Sequence, residues 1–200
     1  MLPNLITLSR MPLLAFIVFL LYQPSDLPRM IAAPLTIVLI LLDTLDGIVA
    51  RRRGETSLLG SVLDIAADRT VELVLWVVYA DLGRIPILIP LIVLARGVFV
   101  DAIRAVAPSK GLTPFEMMRS DLGRFLVKSP WLRTPYGIVK ALAFFFLALT
   151  HADVALPIGA GPAADLVSIA ARTFAWLAFA FCLLRGIPVL IEAPRALQDS

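Results

Sequence analysis

The stretch LLDTLDGIVARRRGETSLLGSVLDIAADRTVE, residues 41–72, sets four aspartates, Asp43, Asp46, Asp64 and Asp68, among runs of Leu, Ile, Val and Ala. A carboxylate at the centre of a membrane helix costs about 2.5–3.5 kcal/mol, so four of them facing lipid would cost on the order of 10 kcal/mol. They are therefore expected to face a cavity and to be compensated. Asp43 and Asp46 are three residues apart, and Gly60, Asp64 and Asp68 follow one another at intervals of four. On helices each set falls on one face, so two acid-bearing stripes can converge across the turn at 52–56.

The rest of the chain makes a membrane setting the natural one. Of its 200 residues 60% are hydrophobic, more than a soluble domain of ordinary composition carries. Six segments approach the ~20 apolar residues that a spanning helix needs: roughly 9–23, 31–52, 57–80, 85–107, 134–150 and 164–191. Turn and breaker clusters separate them: QPSD at 23–26, RRRGET at 51–56, DLGRIP at 81–86, PSKGLTP at 108–114 and LPIGAGPAA at 156–164. The expected fold class is all-α, a polytopic membrane protein of six transmembrane helices. A short interfacial segment, residues 2–9, leads into the first helix, and residues 1–200 form a single membrane domain. The last segment is long enough to tilt, or to kink near Gly186 and Pro188.

Charge sets the orientation. Arg10, Arg51, Arg52, Arg53, Lys110, Arg119, Arg124, Lys128, Arg133 and Arg195 fall on one side of this topology, against Arg29, Arg84 and Arg172 on the other. The positive-inside rule makes the first side cytoplasmic, with both termini and the acid-bearing helix ends there. The net charge of +3 is spread between apolar spans and not along one polar face, which argues against nucleic acid as a partner. Residues 108–133, with Met117, Met118, Phe125 and Trp131 among basic residues, fit an amphipathic segment on the membrane surface. His151 reads as a solvated loop residue, and Glu72 as a partner of Arg69 or of a neighbouring helix.

Compensation for the acids has few sources. Arg51 can pair with one of them, but four carboxylates within two helix turns call for more positive charge. Divalent cations supply it, and all-oxygen ligation favours Mg²⁺, Mn²⁺ or Ca²⁺ over zinc. Cys182 stands alone in an apolar run, so no cysteine site competes. Four acids can hold two ions about 3.5–4 Å apart, an arrangement suited to displacement at phosphorus. Gly47, Ala50 and Gly60 sit beside the acids, where a missing side chain lets a ligand approach the helix.

The pattern Asp43-x2-Asp46-Gly47-x2-Ala50-Arg51-x8-Gly60-x3-Asp64-x3-Asp68 resembles the signature of the CDP-alcohol phosphatidyltransferase family at every fixed position. The opening PNLITLSRMPL is similar to that family's N-terminal Asn-x2-Thr-x2-Arg segment, here Asn4, Thr7 and Arg10. The resemblance implies an enzyme that moves the phosphatidyl group of CDP-diacylglycerol to an alcohol and releases CMP, using Mg²⁺ or Mn²⁺. It implies a homodimer in the inner membrane. On this reading Asp43, Asp46, Asp64 and Asp68 hold two metal ions, and Asp68 is also the general base. Gly47, Ala50, Arg51 and Gly60 lie against the CDP moiety, with Arg51 on phosphate.

The signature leaves the acceptor open. Arg96 and Arg104, in LARGVFVDAIRA, and Lys140, in PYGIVKAL, are similar to cations of phosphatidylglycerophosphate synthases, although the Thr expected after the Lys is Ala141 here. Three such cations suit an acceptor carrying its own phosphate, with glycerol 3-phosphate first and inositol phosphate or another alcohol as alternatives. A membrane prenyltransferase and an ion or proton transporter also place carboxylates in membrane helices. The first is a larger bundle without the Gly-x2-Ala-Arg pattern, and the second has no use for Gly47, Ala50 and Arg51 in that order.

Overall fold

A computed structural model gives the fold and describes residues 2–53, 58–106, 120–151 and 162–198. Among these, every regular element is a helix: α1 (Leu2–Leu21), α2 (Asp26–Arg53), α3 (Leu58–Asp81), α4 (Leu88–Val106), α5 (Asp121–Lys128), α6 (Pro130–His151) and α7 (Pro162–Gln198). The all-α expectation holds, and each of the six apolar segments lies on one long helix. Among the described residues two stretches, Thr134–His151 and Asp165–Glu192, are long and apolar enough to cross a membrane, and Thr7–Leu21 is a shorter apolar helix.

Two helix boundaries depart from the apolar pattern. Residues 2–9 form no separate segment, because α1 runs unbroken from Leu2. No glycine or turn cluster divides them from the apolar run, and Pro12 inside the helix removes only one hydrogen bond. At the other end of the chain α7 continues through Gly186 and Pro188 to Gln198. Its apolar run stops near residue 191, but the helix passes through Pro194 as well, with the good helix formers Glu192, Ala193, Arg195, Ala196, Leu197 and Gln198 on either side of it.

The chain divides into two compact units, one of residues up to Ile87 with Ala141–Thr173, the other of Leu88–Lys140 with the chain from Phe174 onward. In the first, α1 packs against α2 and α3. Ile17, Leu21, Leu39, Leu75 and Leu147 are fully buried around an aromatic group. Phe144 meets Trp76 edge-on at 4.8 Å between ring centroids and stacks with Tyr79 at 6.1 Å, and the Tyr79 hydroxyl donates to the Phe144 carbonyl at 3.2 Å. Such rings bring large buried area together with a satisfied polar atom.

The exit from α3 shows how local sequence positions a distant contact. Gly83 adopts φ 69°, a left-handed conformation that glycine takes without a Cβ penalty. Arg84 N–H then donates to the Tyr79 carbonyl at 2.9 Å and Gly83 N–H to the Ala80 carbonyl at 3.0 Å, the two bonds of a Schellman ending. The turn delivers Arg84 to His151, whose Nδ1 accepts from Arg84 Nε at 3.1 Å. An acceptor Nδ1 leaves the proton on Nε2, which faces the Leu21 carbonyl at 2.8 Å. His151 is 6% exposed and closes α6. It is therefore a buried joint between α1, α6 and the α3 exit, and not the solvated loop residue expected.

In the second unit, Ser120 caps α5, its hydroxyl accepting from Gly123 N–H at 2.9 Å. The Glu192 carboxylate of α7 accepts from Ser120 Oγ at 2.6 Å and Ser120 N at 3.0 Å. A Cβ on Gly123 would lie 2.6 Å from Glu192 Oε1 and 2.9 Å from Ser120 Oγ, so a larger residue there would have to displace these side-chain ends. The described part of the expected surface segment at 108–133 thus holds α5, bearing Asp121, Arg124 and an exposed Phe125, and the first turn of α6; its part from 108 to 119 lies outside the described residues.

Candidate active site

Asp43 lies late on α2, while Asp64 and Asp68 stand one turn apart on α3. The fold brings these three together, and it does so around a residue of α1. Arg10 Nη1 donates to Asp43 Oδ1 at 2.6 Å and lies 4.0 Å from Asp64 Oδ1, and Arg10 Nη2 lies 4.0 Å from Asp68 Oδ1. Asp46, Gly47, Ala50 and Arg51 continue α2 beyond Asp43, but their side chains lie outside the described residues. Gly60 stands one turn before Asp64 and is half-buried.

Burial divides this cluster into an inside and an outside. The Arg10 side chain is 1% exposed, whereas those of Asp43, Asp64 and Asp68 are 37%, 51% and 45% exposed. The guanidinium therefore backs the carboxylates from within, and their other side stays open. The four side chains sum to a charge of −2, from three carboxylates and one guanidinium (−3 + 1). Among the described residues no group of three acid, His or Cys side chains is already set to hold a metal ion. The donors nonetheless suit a hard divalent ion in kind and in charge: carboxylate oxygens, on an open face, with two negative charges left over. Glu72, one turn beyond Asp68, is a separate feature, 3% exposed with Arg69 Nη1 at 3.4 Å from its carboxylate.

Arg10 is the site residue whose role in the cluster sequence reasoning missed. Alone before an apolar run, it reads as one more topology charge, and the pattern around the acids offers Arg51 as a partner for one of them. The similarity of Asn4, Thr7 and Arg10 to a family segment was the available signal, but it carried no contact.

The acceptor candidates lie in the second unit. Arg96 on α4 is 9% exposed and runs so close to α7 that a Cβ on Gly186 would lie 2.6 Å from its Cγ. Lys140 on α6 sits 5.5 Å from the centre of the Tyr136 ring, and Arg185, next to Gly186, sits 5.8 Å from it. Two cations on one ring constitute paired cation–π contacts. Arg185 was not anticipated, because a single arginine in a long apolar run looks like a helix-end charge. The side chain of Arg104 lies outside the described residues.

The sequence is 30% identical over 106 residues to a CDP-diacylglycerol--glycerol-3-phosphate 3-phosphatidyltransferase of Rickettsia bellii (strain RML369-C), covering 52% of this chain and 57% of that protein. It is 30% identical over 113 residues to a protein of the same name from Pseudomonas fluorescens, covering 56% and 58%. The chain thus spans under two thirds of the length of these curated relatives. The family that bears the signature of Asp43, Asp46, Asp64 and Asp68 matches much further, from residue 1 to residue 184, taking in Arg10 and the arginines of α4 as well: the chain belongs to the CDP-alcohol phosphatidyltransferase family.

Proposed function

We propose that the chain transfers the phosphatidyl group of CDP-diacylglycerol to glycerol 3-phosphate and releases CMP. The observation that carries this reading is the gathering of Asp43, Asp64 and Asp68, from two helices, around one guanidinium and with an open outer face. In the proposed site Asp43, Asp46, Asp64 and Asp68 hold Mg²⁺ or Mn²⁺. When bound, such ions neutralise the pyrophosphate and the charge that develops on departing CMP.

The chain's own groups account for the remaining steps. Asp68 accepts the proton of the acceptor hydroxyl as its oxygen bonds to the phosphatidyl phosphorus. The bond from that phosphorus to the bridging pyrophosphate oxygen breaks, and CMP leaves with its phosphate. Gly47, Ala50 and Gly60 offer the CDP moiety helix surface with little side chain, and Arg51 pairs with its phosphate. Arg96, Arg104 and Lys140, joined by Arg185, supply the charges that a phosphorylated acceptor needs. The activity for which the two relatives are named supports glycerol 3-phosphate as that acceptor.

The setting proposed is a single domain of six transmembrane helices in the inner membrane, with both termini and the acids cytoplasmic, assembled as a homodimer. Exposed Phe16, Phe19, Leu91, Phe99, Ile169 and Leu184 support it, since lipid is the solvent that such an apolar surface requires. The test is CMP release by the detergent-purified chain from CDP-diacylglycerol with Mg²⁺ or Mn²⁺, across glycerol 3-phosphate, inositol phosphate, serine and choline. Release with glycerol 3-phosphate alone is expected. Release with another acceptor would overturn the acceptor, and pyrophosphate release or ion flux without CMP would overturn the reaction.

A further inference from the structure

Arg10 has a feature that topology does not require: a guanidinium on α1, 1% exposed, directed at carboxylates of α2 and α3. A basic residue serving only the positive-inside rule has every reason to reach water. Here the side chain is buried, with Nε lacking any hydrogen-bond acceptor, an arrangement that costs energy unless nearby negative charge offsets it. The offset comes from Asp43 at 2.6 Å and from Asp64 and Asp68 at 4.0 Å. Dependence runs both ways, because without Arg10 three carboxylates converge with no cation among these side chains.

We infer that Arg10 is a resident counter-ion, a positioning residue that holds Asp43, Asp64 and Asp68 together from the buried side, so that the site stays assembled when no metal is bound. It touches the acids from within and leaves their open face to the metal. Its fixed charge also offsets one unit of the negative charge that the acids present to a metal. Loss of Arg10 therefore has a defined signature: the chain loses stability without metal and comes to lean on metal for more of it. The second half of that signature rests on the proposed metal site, whereas the first half does not.

The full chain in detergent tests this by thermal melting, in EDTA and in saturating Mn²⁺, for wild type, Arg10→Met, Asp43→Asn and Arg10→Met/Asp43→Asn. Methionine retains much of the buried stem without the charge. In EDTA, Arg10→Met is expected to melt at least about 5 °C below wild type, and the double variant to regain at least half of the loss, because one repelling carboxylate is gone. In Mn²⁺, the metal-induced rise in Tm is expected to be larger for Arg10→Met than for wild type. A double variant no more stable than Arg10→Met in EDTA overturns the inference, since a mere packing loss is not rescued by neutralising Asp43. Arg10→Gln replaces Arg10→Met in the same cycle if the latter is not recovered. A wild type whose Tm and Mn²⁺ electron-spin signal both ignore the metal would sink the metal site, while the EDTA cycle would still decide the role of Arg10.

Discussion

Helix α1 carries one polar cluster at its middle and another at its C-terminal end, and the two are built on opposite plans. At its C-terminal end the Leu21 carbonyl meets His151, whose other nitrogen accepts from Arg84; both ring nitrogens are engaged and the imidazole is buried. Eleven residues earlier, about 16 Å along the helix axis, Arg10 meets three half-exposed carboxylates whose charge it does not cancel. The first cluster is closed, neutral in its ring, and complete. The second is open, with three carboxylates facing one guanidinium. A polar group satisfied within the protein asks for nothing further, whereas residual charge on an open face needs something from outside. The contrast separates structural polarity from functional polarity within a single helix.

Metal removal should break the comparison most sharply. EDTA is expected to abolish CMP release, with Mn²⁺ restoring it; full turnover in EDTA would place the two clusters in the same structural class. Next in size, Asp68→Asn is expected to lower turnover by about 10²–10⁴-fold while CDP-diacylglycerol still binds, whereas Asp43→Asn weakens Mn²⁺ binding as well. Unimpaired turnover by Asp68→Asn would remove the general base from this residue. The second unit offers a smaller effect. Gly186→Ala forces the Arg96 stem aside and should raise KM for glycerol 3-phosphate about tenfold, the value of one charge-assisted contact, with KM for CDP-diacylglycerol unchanged. Equal rises in both would mean that the substitution disturbs α7 generally. Last, His151→Ala removes a partner from the Leu21 carbonyl and from Arg84, and should cost about 1–3 kcal/mol of stability with no change in turnover per folded molecule. A fall in turnover at constant stability would dissolve the division between the two clusters.

Much of this was legible in the sequence because it was local. Apolar runs and the clusters between them placed six long helices, and intervals of three and four put the acids on shared helix faces. Where local pattern stopped being the cause, reading failed. Hydropathy ended near residue 191, but helix propensity carried α7 to Gln198. His151 looked like a loop residue because Leu21 and Arg84 are 130 and 67 residues away. Arg10 looked like a topology charge because Asp43 is 33 residues away. Long-range polar contacts leave no periodicity, and both clusters that define α1 are of this kind. The second unit repeats the lesson: Lys140 and Arg96 were singled out from motifs, while Arg185 emerged only from its ring contact with Tyr136.

The same distances bear on how the chain is made. During synthesis Arg10 emerges 33 residues before Asp43 and 58 before Asp68 (68 − 10). Helix α1 is thus complete while its guanidinium still lacks every carboxylate that accounts for its burial. The first contact becomes available only with the later part of α2, and the set closes only with α3. An N-terminal fragment that ends before Asp64 carries half of an electrostatic bargain, so the three helices form the smallest piece of this chain in which Arg10 can settle.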